Sequence, residues 1–225
     1  MIEKNKNKNI MIAALTLFIA AVMLLSVGIW RKYHIFSAED FGFTDLVSPN
    51  DADGDGVDDY SDMVDGARAY IATNPLYESA YYAGGYPNDG KGVCTDVIWN
   101  AFKAAGYSLK DLVDADIAAR TDEYFDGNEK PDPNIDFRRC RNLLVFFKKH
   151  AEVLTTSTAN PEDWMSGDIV LYDGHIALCS DKRNAQGLPY IIHHGNPVEG
   201  AVEVDALTTT GYGKIIGHFR WVPNN

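Results

Sequence analysis

The apolar run at residues 10–30, Ile-Met-Ile-Ala-Ala-Leu-Thr-Leu-Phe-Ile-Ala-Ala-Val-Met-Leu-Leu-Ser-Val-Gly-Ile-Trp, constrains this 225-residue chain most, because it carries no charge and is long enough to cross a bilayer as a helix. A secretory signal peptide has a shorter apolar region and a small-residue cleavage site. Here the run ends in Trp30-Arg31-Lys32 with no Ala-x-Ala pattern, so an uncleaved anchor is expected, with residues 1–9 as a cytoplasmic tail. Lys4, Lys6 and Lys8 precede the span and Arg31 and Lys32 follow it. Positive residues favour the cytoplasmic side, and the amino terminus adds one more charge there. The aspartate-rich stretch downstream suits a calcium-rich exterior, so the expectation is a single-pass cell-membrane protein with residues 33–225 outside the cytoplasm.

What remains has room for one domain, and a composition of 46% apolar, 12% aromatic and 23% charged residues is that of a chain with a buried core. Residues 1–32 hold five basic side chains and one acid, a net of +4, so the total of −12 leaves −16 on the outer part. Nucleic acid and anionic membrane surfaces are poor partners for such a charge. Three cysteines are an odd number, which leaves at least one thiol free even where disulfides are permitted.

Residues 31–50 show no clear period and read as a stalk. Helical spacing is expected over 61–73, from Cys94 to about Ala105, over 109–119 and over 137–149, with Gly106 as a C-terminal cap for the second of these. From Gly167 the pattern changes to short strand-like runs at 168–172, 175–180, 190–193, 201–204 and 214–222. Helices first and strands afterwards argue for an α+β domain over 62–225, with helices packed on an antiparallel sheet.

Asp51, Asp53, Asp55, Gly56, Asp59 and Asp62 occupy positions 1, 3, 5, 6, 9 and 12 of a calcium-binding loop, 51–62, in which alternate oxygens and a glycine turn wrap one hard cation. Seven aspartates within residues 51–65 would repel one another strongly without a counter-ion. Calcium is expected as a structural ion, with Asp51, Asp53, Asp55, Asp59 and Asp62 as ligands, and no cofactor is expected for catalysis. The plainer alternative is a solvated acidic linker.

Cys94 follows Gly-Lys-Gly-Val and opens an amphipathic helix, where free backbone N–H groups and the helix dipole stabilise a thiolate and could receive an oxyanion. Cys140, within Arg138-Arg139-Cys140-Arg141, and Cys179, within an apolar strand, read as structural thiols. In Ser166-Gly-Asp-Ile-Val-Leu-Tyr-Asp-Gly-His175-Ile-Ala-Leu, a strand and a tight turn put His175 at the head of the next strand, where it can take a proton from a nucleophile. The following strand ends in His193-His194. Adjacent strand residues point to opposite faces, so one of the two should orient His175, with His193 preferred. Asp96 either favours the helix dipole or, on the cleft wall, binds an amino group of a peptide substrate. The Asp132-Pro-Asn-Ile-Asp136 run reads equally as substrate contact or as a turn with a helix cap at Asp136.

Tyr82-Ala-Gly-Gly85, Cys94 opening a helix nine residues later, Gly167-Asp-Ile-Val170 and the His-Ile-Ala-Leu strand together resemble the NlpC-type cysteine peptidases, papain-like enzymes of bacterial cell walls. Gly92-Val-Cys-Thr-Asp96, Asp132-Pro-Asn-Ile-Asp136 and Gly217-His-Phe-Arg-Trp221 more closely resemble the bacterial domain-of-unknown-function family 1287, which is placed in that superfamily. The resemblance covers roughly residues 62–222. It implies a papain-like fold, Cys94 as nucleophile, His175 as base, His193 as orienting residue and Tyr82 as donor of a hydroxyl near the oxyanion. It departs from the wider family in having Val-Cys-Thr-Asp where Asp-Cys-Ser-Gly is usual. The function implied is a membrane-anchored extracytoplasmic peptidase or amidase acting on peptidoglycan peptides. The alternatives are acyl transfer from the same site, or a non-catalytic, calcium-stabilised surface binding module.

Overall fold

The computed structural model describes the backbone of residues 2–223, and the side chains from Met11 onward apart from Ala13, Lys32 and Tyr33. The expected tail at 1–9 therefore lies outside the described side chains, and Asn224 and Asn225 lie outside the described backbone. The first helix, α1 (Ile2–Tyr33), contains a window, Ala14–Arg31, of mean hydropathy 2.0 with none of it buried against the rest of the protein. Leu17 and Leu24 stand 72% and 75% exposed on it. The C-terminal end of the helix meets the domain, where Arg31 donates to the Ala185 carbonyl at 3.4 Å, and the window itself is long and apolar enough to cross a membrane.

The segment 31–50 is not the free stalk expected. Phe36 exchanges two backbone hydrogen bonds with Arg183, at 3.0 and 2.7 Å, and Phe36 and Ala38 are buried. The physical reason is Arg183, whose guanidinium is fully buried and must be paired. Asp45, from this strap, accepts from it at 2.5 Å, and the carbonyls of Trp164 and Gly187 take two further N–H groups.

Helices then precede strands. They are α2 (Asp59–Ala72), α3 (Cys94–Ala104), α4 (Leu109–Ala119), α5 (Thr121–Tyr124) and α6 (Cys140–His150), with a two-residue parallel pair, β1 (Leu76–Tyr77) and β2 (Lys91–Gly92), between α2 and α3. The main sheet comprises β3 (Glu152–Val153), β4 (Ile169–Tyr172), β5 (His175–Arg183), β6 (Pro189–His194), β7 (Ala201–Val204) and β8 (Ile215–Arg220). Its order is β3-β8-β4-β5-β6-β7, antiparallel at every pairing, so the chain is α+β.

One face of the sheet presents Ile169, Leu171, Ile176, Leu178 and Ile192 to the helices, chiefly to Val97, Ile98, Ala101 and Phe102 of α3. The other face is covered as well, by Trp164 and Leu207 over Val170, Tyr172, Ala177 and Ile191. Burial on both faces explains why all four residues of β4 are apolar and buried instead of alternating. At the start of β4 the fully buried Asp168 accepts from Arg220 at 2.7 and 2.8 Å, from His218 at 2.9 Å and from the Met165 N–H at 2.8 Å, tying β8 to β4.

The helix expected at 137–149 is displaced. Asp136–Arg138 form a tight 3-10 turn and α6 begins only at Cys140. Asp136 causes this, because its carboxylate accepts from the Asp132 N–H at 2.6 Å and from Arg139 at 3.2 Å, closing a turn. Asp136 thus closes a local turn, while Asp132 and Asn134 bond Tyr81 and the Gly84 N–H about 50 residues away. The shift makes Cys140 the first residue of a helix.

Candidate active site

Val93 is extended (φ −141°, ψ −178°), and its N–H donates to the Asp96 carboxylate at 2.7 Å, which ends the preceding strand and starts α3 at Cys94. Residue 92 must be glycine, since a Cβ there would lie 2.1 Å from the Tyr70 hydroxyl oxygen. The N–H groups of Cys94 and Thr95 fall within the first turn, where the helix offers them no acceptor. Cys94 is only 6% exposed, at the edge of the helical core.

His175 opens β5 and His193 is the fifth residue of β6. Their rings meet edge to face, with His175 Nε2 2.9 Å from His193 Nδ1. That contact occupies Nε2 and leaves Nδ1 of His175 for Cys94. The Tyr212 ring stacks on His175 at 4.8 Å and holds it from behind. The Tyr212 hydroxyl lies 3.5 Å from His193 Nε2 and donates to Glu199 at 2.5 Å. Gly195 lies against the Glu199 carboxylate, which would have to move aside for a Cβ there.

Burial, and then the neighbouring His175 and His194, pull the His193 ring down to about 3, so it is neutral near pH 7. A neutral His193 that accepts at Nδ1 carries its proton on Nε2, facing Tyr212 and Glu199. The order of groups is then Cys94, His175, His193, Tyr212, Glu199, each able to pass hydrogen-bond polarity to the next. A thiol at a helix start, with an imidazole beside it and a second imidazole behind, is the general arrangement for nucleophilic catalysis. Beside His175 lies an open groove of about 680 Å³ whose walls include Tyr77, Asn196, Glu199 and Tyr212.

Cys140 also meets Cys94, Sγ to Sγ at 3.8 Å, although 46 residues separate them. The Cys140 S–H, above all, and then the His175 ring hold the Cys94 thiol well below the ordinary thiol range, against the opposing effect of burial. The Ile176 N–H contributes in the same direction. Cys140 is pushed up by its bond to Cys94 and by burial, and so stays a thiol that donates. Burial pushes up the thiol of Cys179, on β5 in the other core layer. Nothing in the spacing of the sequence signals Cys140; only the shifted start of α6 brings it to the site.

His194 points to the opposite face from His193, toward the helices, and its Nδ1 is 3.0 Å from the Tyr70 hydroxyl. Tyr77, beside both Cys94 and Cys140, is the phenol whose ring packs on His194 at 5.1 Å. Two proposed roles do not survive. Tyr82 donates its hydroxyl to Asp89 at 2.9 Å and lays its ring 5.3 Å from the Arg138 guanidinium, so it braces that arginine instead of facing an oxyanion. Asp96 is fully buried, takes Arg138 in a fork at 2.7 and 2.8 Å, and accepts from the Trp99 ring N–H at 2.7 Å. No oxygen is left for a substrate amine, and its role is to fix the start of α3.

The acidic loop divides. Asp51, Asp53 and Asp55 bring ligand oxygens within 4.8 Å of one another, and Asp51 also accepts from the N–H groups of Gly54, Asp55 and Gly56. Asp62 is not one of those three, but their charges act on it, and its Oδ2 is buried with no partner. Burial, and then the charges of Asp55, Asp53, Asp51 and Asp58, push its carboxyl up to about 6. Asp59 does not belong to the cluster. It is fully buried and accepts from the Tyr107 hydroxyl at 2.6 Å and from the Ala52 N–H at 2.9 Å, which anchors the loop to the domain.

The family model described as "Domain of unknown function (DUF1287)" matches residues 64–221, from the middle of α2 to the end of the sheet. The "Uncharacterized protein YijF" of Escherichia coli (strain K12) is 36% identical over 170 residues, covering 71% of this chain and 80% of that protein. No solved structure matches significantly. The matched region contains Cys94, Cys140, His175 and His193 together with the helices and sheet that hold them, and the chain is a member of the DUF1287 family.

Proposed function

We propose that this protein is a papain-like cysteine hydrolase that cleaves amide bonds in peptidoglycan peptides from the outer side of the membrane. The observation that carries this reading is the contact of His175 Nε2 with His193 Nδ1 at 2.9 Å, next to a thiol that begins a helix. In the proposed reaction the Cys94 thiolate adds to the amide carbonyl, and the oxyanion is received at the first-turn N–H groups of α3. Protonated His175 gives its Nδ1 proton to the leaving amine as the C–N bond breaks, leaving a thioester on Cys94. Neutral His175 then takes a proton from water, whose oxygen displaces the sulfur and releases the acid. Cell-wall peptide as substrate rests on the resemblance to the NlpC-type peptidases and on the membrane-length helix α1.

The test is to incubate the full chain in detergent with purified peptidoglycan and identify soluble fragments by mass. Fragments with one new carboxyl and one new amine, absent with Cys94→Ser, are expected. Fragments that persist with Cys94→Ser contradict the reading. The orientation is read separately: protease added to intact cells removes residues 33–225 if they lie outside and spares them if the chain is inserted the other way.

We also propose that Asp51, Asp53, Asp55 and Asp62 hold calcium as a structural ion. Three converging carboxylates, and an unpartnered Asp62 oxygen within reach of their charges, support it. Calcium at about a hundred times its Kd should stabilise the protein by about 2.7 kcal/mol, and Asp62→Ala should remove most of that gain. A melting temperature that does not change between calcium and chelator would sink the proposal.

A further inference from the structure

Two helices, α3 and α6, start with a cysteine, and the two starts face each other so that Cys94 Sγ and Cys140 Sγ are 3.8 Å apart. A disulfide needs about 2.05 Å between sulfurs, so the two must approach by about 1.75 Å, under about 1 Å each when shared. Cys94 is 6% exposed and Cys140 is partly buried, so neither residue is sealed from solvent. The third cysteine, Cys179, is fully buried in the other core layer and cannot compete.

We propose that Cys94 and Cys140 form a reversible dithiol switch, in which peroxide oxidation joins them in a disulfide that masks the Cys94 sulfur and a dithiol reductant reopens it. In the first step the Cys94 thiolate attacks peroxide, the O–O bond breaks, and Cys94 becomes a sulfenic acid as hydroxide leaves. Cys140 then attacks the Cys94 sulfur. The S–S bond forms, the S–O bond breaks, and the Cys140 proton leaves with the departing oxygen as water. Each sulfur gives up one electron and the peroxide takes two. Without Cys140 the sulfenic acid has no neighbouring thiol, and a second peroxide, its O–O bond breaking and water leaving, takes it to the irreversible sulfinic acid. The adjacent thiol therefore protects Cys94 as well as silencing it. The consequence for activity rests on Cys94 being the nucleophile, whereas bond formation does not.

The reduced full chain in detergent is treated with stoichiometric hydrogen peroxide, denatured, alkylated, digested and mapped by mass. The expected product is a peptide linking Cys94 to Cys140, two hydrogens lighter than the reduced pair, with Cys179 alkylated, and dithiothreitol restores both thiols. Sulfinic acid on Cys94 with Cys140 still alkylated overturns the proposal. When Cys140→Ser and the native chain are both given excess hydrogen peroxide, the share of Cys94 recovered by dithiothreitol should be roughly tenfold lower in the variant. Recovery equal to that of the native chain also overturns it. If that variant does not fold, the cross-link in the native chain decides alone. A disulfide that forms in a protein showing no activity on peptidoglycan when reduced would leave the switch standing and remove the hydrolase reading.

Discussion

Turnover of the peptidoglycan substrate by Cys94→Ser is expected to fall by about 10³-fold or more, with the fold intact. A serine hydroxyl is nearly isosteric with the thiol and keeps the start of α3, which Val93 and Asp96 set by their 2.7 Å hydrogen bond, not the residue at 94. What it loses is ionisation. The Cys140 S–H, His175 and the Ile176 N–H depress a thiol that is ordinarily at about 8.5, whereas an alcohol starts far too high for the same groups to ionise it. The check is the rate of fragment release under identical loading, with a thermal melt beside it. A variant that melts like the native chain and retains a tenth or more of the rate would show that the sulfur is not the attacking atom.

Asp96→Ala is expected to cost about 3–5 kcal/mol of stability, a large share of the roughly 5–15 kcal/mol that holds a domain together. The mutation removes a carboxylate that four donors share. It leaves the Arg138 guanidinium, whose side chain is 1% exposed, without a counter-charge in the interior. The Arg138 N–H to the Ala80 carbonyl at 3.0 Å is too little to hold a full charge there. For a domain of this size the loss corresponds to a fall in melting temperature on the order of 10 °C. A substrate-binding aspartate behaves differently: its loss raises KM and leaves the melt unchanged. That outcome would reverse the structural assignment of Asp96.

Much of the architecture is legible in local pattern. The amphipathic face of α3, the Gly, Pro and Asp punctuation between strands and the order of helices before strands all depend on residues close together in the chain. So do the opposite facings of His193 and His194, since a strand alternates by construction. Contacts between distant segments are not legible in this way. Asp96 and Arg138 are 42 residues apart, and Cys94 and Cys140 are 46 apart. Each pair meets because the Asp136 turn delays the start of α6. The strap at 31–50 lacks periodicity because it is held by one buried arginine, Arg183, and not by a repeating apolar face. Tyr82 and Asp59 carry the residue types that their assigned roles needed, but their hydroxyl and carboxylate are taken up by Asp89 and Tyr107. A motif position specifies the chemistry a side chain has, and its packing decides where that chemistry points.

The most direct test of the paired Cys94 and His175 is the rate of alkylation of Cys94 by iodoacetamide as a function of pH, followed by mass at that residue in the native chain and in His175→Ala. The expected native profile is already on its plateau at about pH 7, because the thiolate is held well below an ordinary thiol near 8.5. His175→Ala should shift the rise upward and slow labelling near neutral pH, with the Cys140 hydrogen bond retaining part of the depression. A native profile that rises through the ordinary thiol range and does not move with His175→Ala would contradict the pairing, and with it the proposed mechanism.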